Sequence, residues 1–174
     1  FFDLRPLHGD SGLAEALGTL LLSQTVESPA FLHLMAATAL QAEPPLNFRG
    51  EIVSTGEGVV RTVDLKKFGS RIFVDAARIF ALASGVRSVN TSVRLSDSAP
   101  SAGFPAHELL AVDAAFSHIL RLRLSHQLAA GPAAVEAGQG IPLDSLNDFD
   151  KAILKEALRQ ARRLQQRLKL KYGL

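Results

Sequence analysis

One stretch limits the folds open to this chain more than any other: Asp64 to Val86, DLKKFGSRIFVDAARIFALASGV. After a polar corner of Asp64, Lys66 and Lys67, it runs apolar on nearly every side of a helix. Ile72, Phe73, Val74, Ala76, Ala77, Ile79, Phe80, Ala81, Leu82 and Ala83 leave almost no polar face. Such a helix has to be covered all round, which predicts a central helix with others packed over it. Gly85 suits the left-handed residue that ends a helix, where a side chain would clash. Arg71, Asp75 and Arg78 interrupt the apolar surface, and Arg71 and Asp75 are spaced for an ion pair along one helix face.

The covering helices are legible on either side. Asp10 caps a first helix over about residues 11–27, with Leu13, Leu17, Leu20 and Leu21 on one side. Ser28-Pro29 restarts the chain into a second helix reaching about Gln41, which Glu43-Pro44-Pro45 stops. Phe48–Val53 and Val59–Val63 are β-prone runs flanking Thr55-Gly56-Glu57-Gly58, the pattern of a hairpin that leans on the helices. Beyond Gly85, Asn90-Thr91 caps a brief helix holding Val93 and Leu95, and Ser98–Pro105 reads as a loop. A long helix over about 106–130 ends at Gly131-Pro132, and 131–146 reads as the loosest segment. The last helix, about 147–171, has an apolar stripe of Ile153, Leu154, Ala157, Ala161, Leu164 and Leu168. The predicted fold class is mainly α: an up-and-down bundle of four long helices with short extra helices and one small β-hairpin.

Composition removes several functions. The chain has no Cys, so disulfides, thiolate metal sites and cysteine nucleophiles are out, and a reducing cytoplasmic location is expected. No apolar run of about 18 residues is present for a membrane span. The opening FFDLRP lacks a Met, a basic leader and a cleavage site, and reads as the continuation of a longer chain. Net charge is only +2, but residues 151–174 carry eight basic side chains against one acidic. Such asymmetry marks either a solvated helix face or an anion-binding surface.

The long helix places polar residues against the grain. At 100° per residue, Leu109, Val112, Phe116, Ile119, Leu120 and Leu124 define its inward face, and Asp113, Arg123 and Gln127 share that arc. A charge there has to be paired or face a cavity. Either Arg123 belongs to an internal polar network, or Arg121, Arg123, His126 and Gln127 line a groove for an anionic ligand or an abutting domain. The five His residues include no pair four apart and no HExxH, and no phosphate-loop or nucleophile-elbow motif occurs.

FFDLRPLHGD at 1–10, PPLNFRG at 44–50, DLKKFG at 64–69, Asn90-Thr91, LRLRLSHQ at 120–127 and the Arg-Arg-Leu-Gln at 162–165 follow in order. Together they resemble the nucleotidyltransferase substrate-binding domain of bacterial proteins. There it follows a catalytic domain similar to that of the protein P-II uridylyltransferases, often with cyclic-nucleotide-binding and CBS domains upstream. The resemblance implies that residues 1–10 end the preceding nucleotidyltransferase domain, as strand tail and linker, and that 11–174 form the helical substrate-binding domain. It implies a non-catalytic role, since this chain's Gly69-Ser70 leads into an apolar helix rather than to paired carboxylates. Asp3 is then the candidate third metal carboxylate of the catalytic domain. Lys66, Lys67, Arg121 and Arg123 are the expected anion contacts, arranged by Asp64, Asn90, His126 and Gln127. No cofactor is expected in this stretch itself; Mg2+ and a nucleoside triphosphate are expected in the parent protein, with a protein or small-molecule acceptor. The competing reading is a helical interaction or homodimerisation module using the basic last helix. Nucleic acid is a weaker candidate, for want of a helix-turn-helix and with only 6% aromatic residues for base stacking.

Overall fold

The structure, a computed structural model, describes residues 2–56, 60–136 and 140–174, with the backbone alone for 132–136. Among these, six helices account for most of the chain: α1 (Ser11–Val26), α2 (Pro29–Ala39), α3 (Arg71–Ala83), α4 (Thr91–Ala102), α5 (Ala106–Glu136) and α6 (Asp148–Tyr172). The mainly α expectation holds. Side-chain caps open three of them: Asp10 accepts from the Gly12 N–H, Asn90 from Val93 and Asn147 from Asp150. Gly131, at φ 71°, breaks α5 where the Gly-Pro pair predicts an end.

α3 is the centre. Ile72, Phe73, Ala76, Ala77, Ile79, Phe80, Ala81 and Leu82 are all buried, and α1, α2, α4 and α6 pack around them. α5 and α6 form the longest pairing, and α5 reaches α3 where Phe116 meets Phe73, ring centres 5.6 Å apart. Phe80 meets Phe104 edge-on at 5.5 Å, and the Arg167 guanidinium of α6 lies 4.5 Å from the Phe104 ring centre. Gly85 sits at φ 69° and the Val86 N–H bonds back to the Ala81 carbonyl, closing α3 as expected.

Four expectations are corrected. The small sheet is not the local hairpin: β1 (Thr62–Val63) pairs antiparallel with β2 (Ile141–Pro142), from the segment read as loosest. Of the runs expected to pair, Ile52 makes a single bridge, to Leu46; residues 57–59 of the expected turn lie outside the described residues. Gly140 permits the distant pairing, because a Cβ there would stand 2.9 Å from the Val63 carbonyl carbon. Phe2–Leu4 is not in a strand, having no partner edge among the described residues. α4 runs through 98–102: buried Leu95, Ser98 and Ala99 hold its last turns, while Pro100 sits on the exposed side, where water can replace the lost bond. Finally, α5 is rotated from its predicted facing. Leu120 and Leu124 are 40% and 56% exposed, whereas Ala115 and Leu122 are buried. In α1, Leu13 and Leu20 likewise face out and only Thr25 is buried.

Phe73→Ala is expected to cost about 3–5 kcal/mol in chemical denaturation, the range for emptying a fully buried aromatic site.

Candidate functional site

The corner leading into α3 is built by Asp64. Its Oδ1 accepts from the backbone N–H groups of Lys66, at 2.9 Å, and Lys67, at 3.0 Å. The carboxylate thus turns the chain and leaves both lysine side chains exposed, with the Lys67 ammonium 4.9 Å from the Phe68 ring centre. A π-helical turn, Lys66–Ser70, follows. Its Gly69 lies against α5 so closely that a Cβ would stand 3.3 Å from Ile119. That approach brings α5 over the start of α3, where Arg123 Nη1 donates to Ser70 Oγ at 2.7 Å. Ser70 is buried and Arg123 half-buried. Among the described residues, Lys66, Lys67, Arg121 and Arg123 form no ion pair. A half-buried guanidinium answered by a neutral hydroxyl keeps its charge uncompensated.

The other predicted residues do not all join this turn. Arg121 is exposed and donates to His118 Nδ1 at 2.8 Å. A guanidinium only donates, so Nδ1 accepts and the proton of a neutral His118 sits on Nε2, which is buried without a partner among the described residues. Burial, seconded by the Arg121 charge, pushes the His118 pKa down, and Asp150 offsets part of this. His126 is half-buried and Gln127 exposed. Asn90 is the cap of α4, and with Asp3, Arg5, Phe116 and Leu120 it lines an open cleft of about 530 Å³. At 100° per residue, Phe116, Leu120, Arg123 and Gln127 fall within about 60° around α5. The cleft and Arg123 therefore follow one side of that helix. Asp64, Lys66, Lys67 and Arg123 gather at one turn, Asn90 lies further along the same side, and Arg121 is turned toward His118.

A buried arginine that sequence reasoning missed organises the leading segment. Arg94 is 3% exposed. Its Nε donates to the Ser88 carbonyl, Nη1 to Asp3 Oδ1 and Nη2 to the Phe2 carbonyl, each at 2.6 Å. Arg78 completes the clamp, donating to Asp3 Oδ2 at 2.7 Å and to Asp75 Oδ1 at 2.9 Å, while Arg71 pairs with Asp75 as its spacing predicts. Both oxygens of Asp3 are thus engaged by arginine in this structure. Partial burial raises its pKa, but the Arg78 and Arg94 hydrogen bonds and charges outweigh this, and the net shift is downward. Among the described residues, no group of three or more His, Asp or Glu side chains could hold a metal ion. The sequence signal for the clamp was faint: Arg78 breaks the apolar face of α3, and Arg94 sits in a stretch polar enough to read as surface.

The structure is that of an α-helical domain with basic side chains, unpaired among the described residues, where α5 meets the start of α3. A family model described as "Putative nucleotidyltransferase substrate binding domain" matches residues 29–172, and the chain belongs to that family. No curated protein and no solved structure matches it. The clamp carboxylate and α1 precede the matched region. No helix among the described residues is long and apolar enough to cross a membrane.

Because the folded Asp3 carboxyl has a depressed pKa, its contribution is fully present above the ordinary value near 3.8 and is lost as pH falls through the lower folded value. Asp3→Asn is expected to lose about 1 kcal/mol at neutral pH, the pair being half-exposed on the Asp3 side. Thermal melts of the two proteins should converge at the acid end of that window.

Proposed function

We propose that this chain is the non-catalytic substrate-binding half of a nucleotidyltransferase, completing the acceptor or nucleotide site beside a catalytic domain upstream on the same chain. The observation that carries the reading is Arg123, which is half-buried and bonded to the Ser70 hydroxyl with no carboxylate partner among the described residues. Nucleotidyl transfer concentrates negative charge on the reacting phosphates, and preorganised cations are what stabilise it. Arg123 offers a planar fork that Ser70 orients; Lys66 and Lys67 offer mobile point charges fixed at their backbone by Asp64. The side of α5 running from Arg123 to the Asn90 cleft is the face toward the catalytic domain, with His126 and Gln127 shaping its far end. The family supports the nucleotidyltransferase context. The finer reading is a bacterial, cytoplasmic enzyme resembling the protein P-II uridylyltransferases, with a protein acceptor. Its catalytic domain holds Mg2+ and the nucleoside triphosphate, and this domain adds cations to the phosphates.

Isothermal titration of the full-length protein with nucleoside triphosphates and Mg2+ tests this. Arg123→Ala is expected to weaken binding about tenfold or more, since a charge-assisted hydrogen bond contributes about 1.5–3 kcal/mol. Arg121→Ala, whose parent side chain is turned toward His118, should change it much less. Unaltered affinity in Arg123→Ala would overturn the reading.

A further inference from the structure

A second cavity, of about 230 Å³, adjoins the Asn90 cleft at Val89 and lies between the leading segment, α1 and the α3–α4 connection. Leu4, Leu21, Leu82 and Val86 contribute to a largely apolar wall. Arg94 reaches that wall, but Asp3, Phe2 and Ser88 already occupy its nitrogens. Two further charged residues line the cavity: Glu15 of α1 and Arg87 of the connection. Both are exposed, and neither forms an ion pair among the described residues, with each other or with anything else. Arg87 donates one hydrogen bond to Thr19 Oγ1, one helical turn along α1 from Glu15. The Thr19 hydroxyl in turn donates to the Glu15 backbone carbonyl, so Arg87 is tied to the turn of α1 that carries Glu15.

An apolar hollow lined by one cation and one anion that form no ion pair among the described residues is complementary to a small zwitterion with an apolar tail. We propose that this cavity binds a free α-amino acid with an apolar side chain: carboxylate on Arg87, ammonium on Glu15, side chain inside. A monoanion or monocation of the same shape would leave one mouth charge unanswered and meet repulsion from it. The hollow is large enough for a branched aliphatic or phenyl group, given that an apolar cavity of about 150 Å³ takes up benzene. The ligand would bridge α1, which has only Thr25 buried, to the core, and so order the layer that also carries the Asp3 clamp. The cavity shares Val89 with the Asn90 cleft, but neither Arg87 nor Glu15 lines that cleft, so variants at these two positions test this proposal apart from the Arg123 reading.

Calorimetric titration of the chain with L-leucine, 4-methylpentanoate (leucine without its ammonium) and 3-methylbutylamine (leucine without its carboxylate) tests the assignment. L-Leucine is expected to bind saturably at one site. Each analogue should bind about tenfold weaker or worse, one charge-assisted contact being lost and one repulsion gained. Arg87→Ala should abolish the advantage of leucine over 3-methylbutylamine, and Glu15→Ala its advantage over 4-methylpentanoate. Both side chains are exposed, so melting temperatures near that of the parent will show that these variants fold. Absence of saturable binding by leucine, valine and phenylalanine overturns the site. Equal binding of leucine and either analogue overturns the zwitterion assignment.

Discussion

Burying α3 on every side sets the terms for the rest of this domain. A helix with eight of its thirteen residues buried has little polar edge to spare, and what remains is used fully. Arg71, Asp75 and Arg78 form a continuous ion-paired edge, and the edge ends on Asp3 of the leading segment. The helix also dictates how its own N-terminus is reached. An apolar rod buried from its first turn has no room for a long capped entry, and the chain arrives through the widened turn Lys66–Ser70, with Asp64 bonding the first two backbone N–H groups. The exposed lysines and the Arg123 contact are consequences of that entry.

α5 serves two purposes at once. Its Val112, Ala115, Ile119 and Leu122 side belongs to the core, while the Leu120, Arg123 and Gln127 side borders it. Arg123 sits at the border, half-buried, with a hydroxyl where a structural arginine would have a carboxylate. Arg94 is the useful contrast. It is more deeply buried, and every one of its nitrogens has an acceptor, one of them charged. One arginine has a charged partner within the fold and the other has none among the described residues, and on the proposed reading that difference separates structural from ligand-facing charge.

The sequence was readable where local rules decide. The largely apolar character of α3, the caps at Asp10 and Asn90, and the glycine ending at Gly85 each depend on residues within a few positions. Reading failed where distant segments decide. Thr62–Val63 pairs with Ile141–Pro142 rather than with its neighbour, and no local pattern encodes a partner so far along the chain. The facing of α5 was off by part of a turn, because Leu120 and Leu124 fit an apolar stripe that tertiary packing leaves in solvent. Arg94, two of whose three partners lie some ninety residues away, carried no local signal. For the candidate site, residue type and order pointed to Lys66, Lys67, Arg121 and Arg123 together, whereas the turn of Arg121 toward His118 and of Arg123 toward Ser70 emerges only from the packing of α5 at Gly69.

The central claim is that Arg123 is held for a ligand and not for the fold, and the stability of Arg123→Met tests it most directly. Methionine keeps the length and apolar stem of the side chain while removing the charge. If the guanidinium is uncompensated in the free protein, thermal and denaturant melts should show Arg123→Met as stable as the parent or more so, by up to about 1–2 kcal/mol. A loss of more than about 2 kcal/mol would contradict the account, placing Arg123 beside Arg94 as part of the framework.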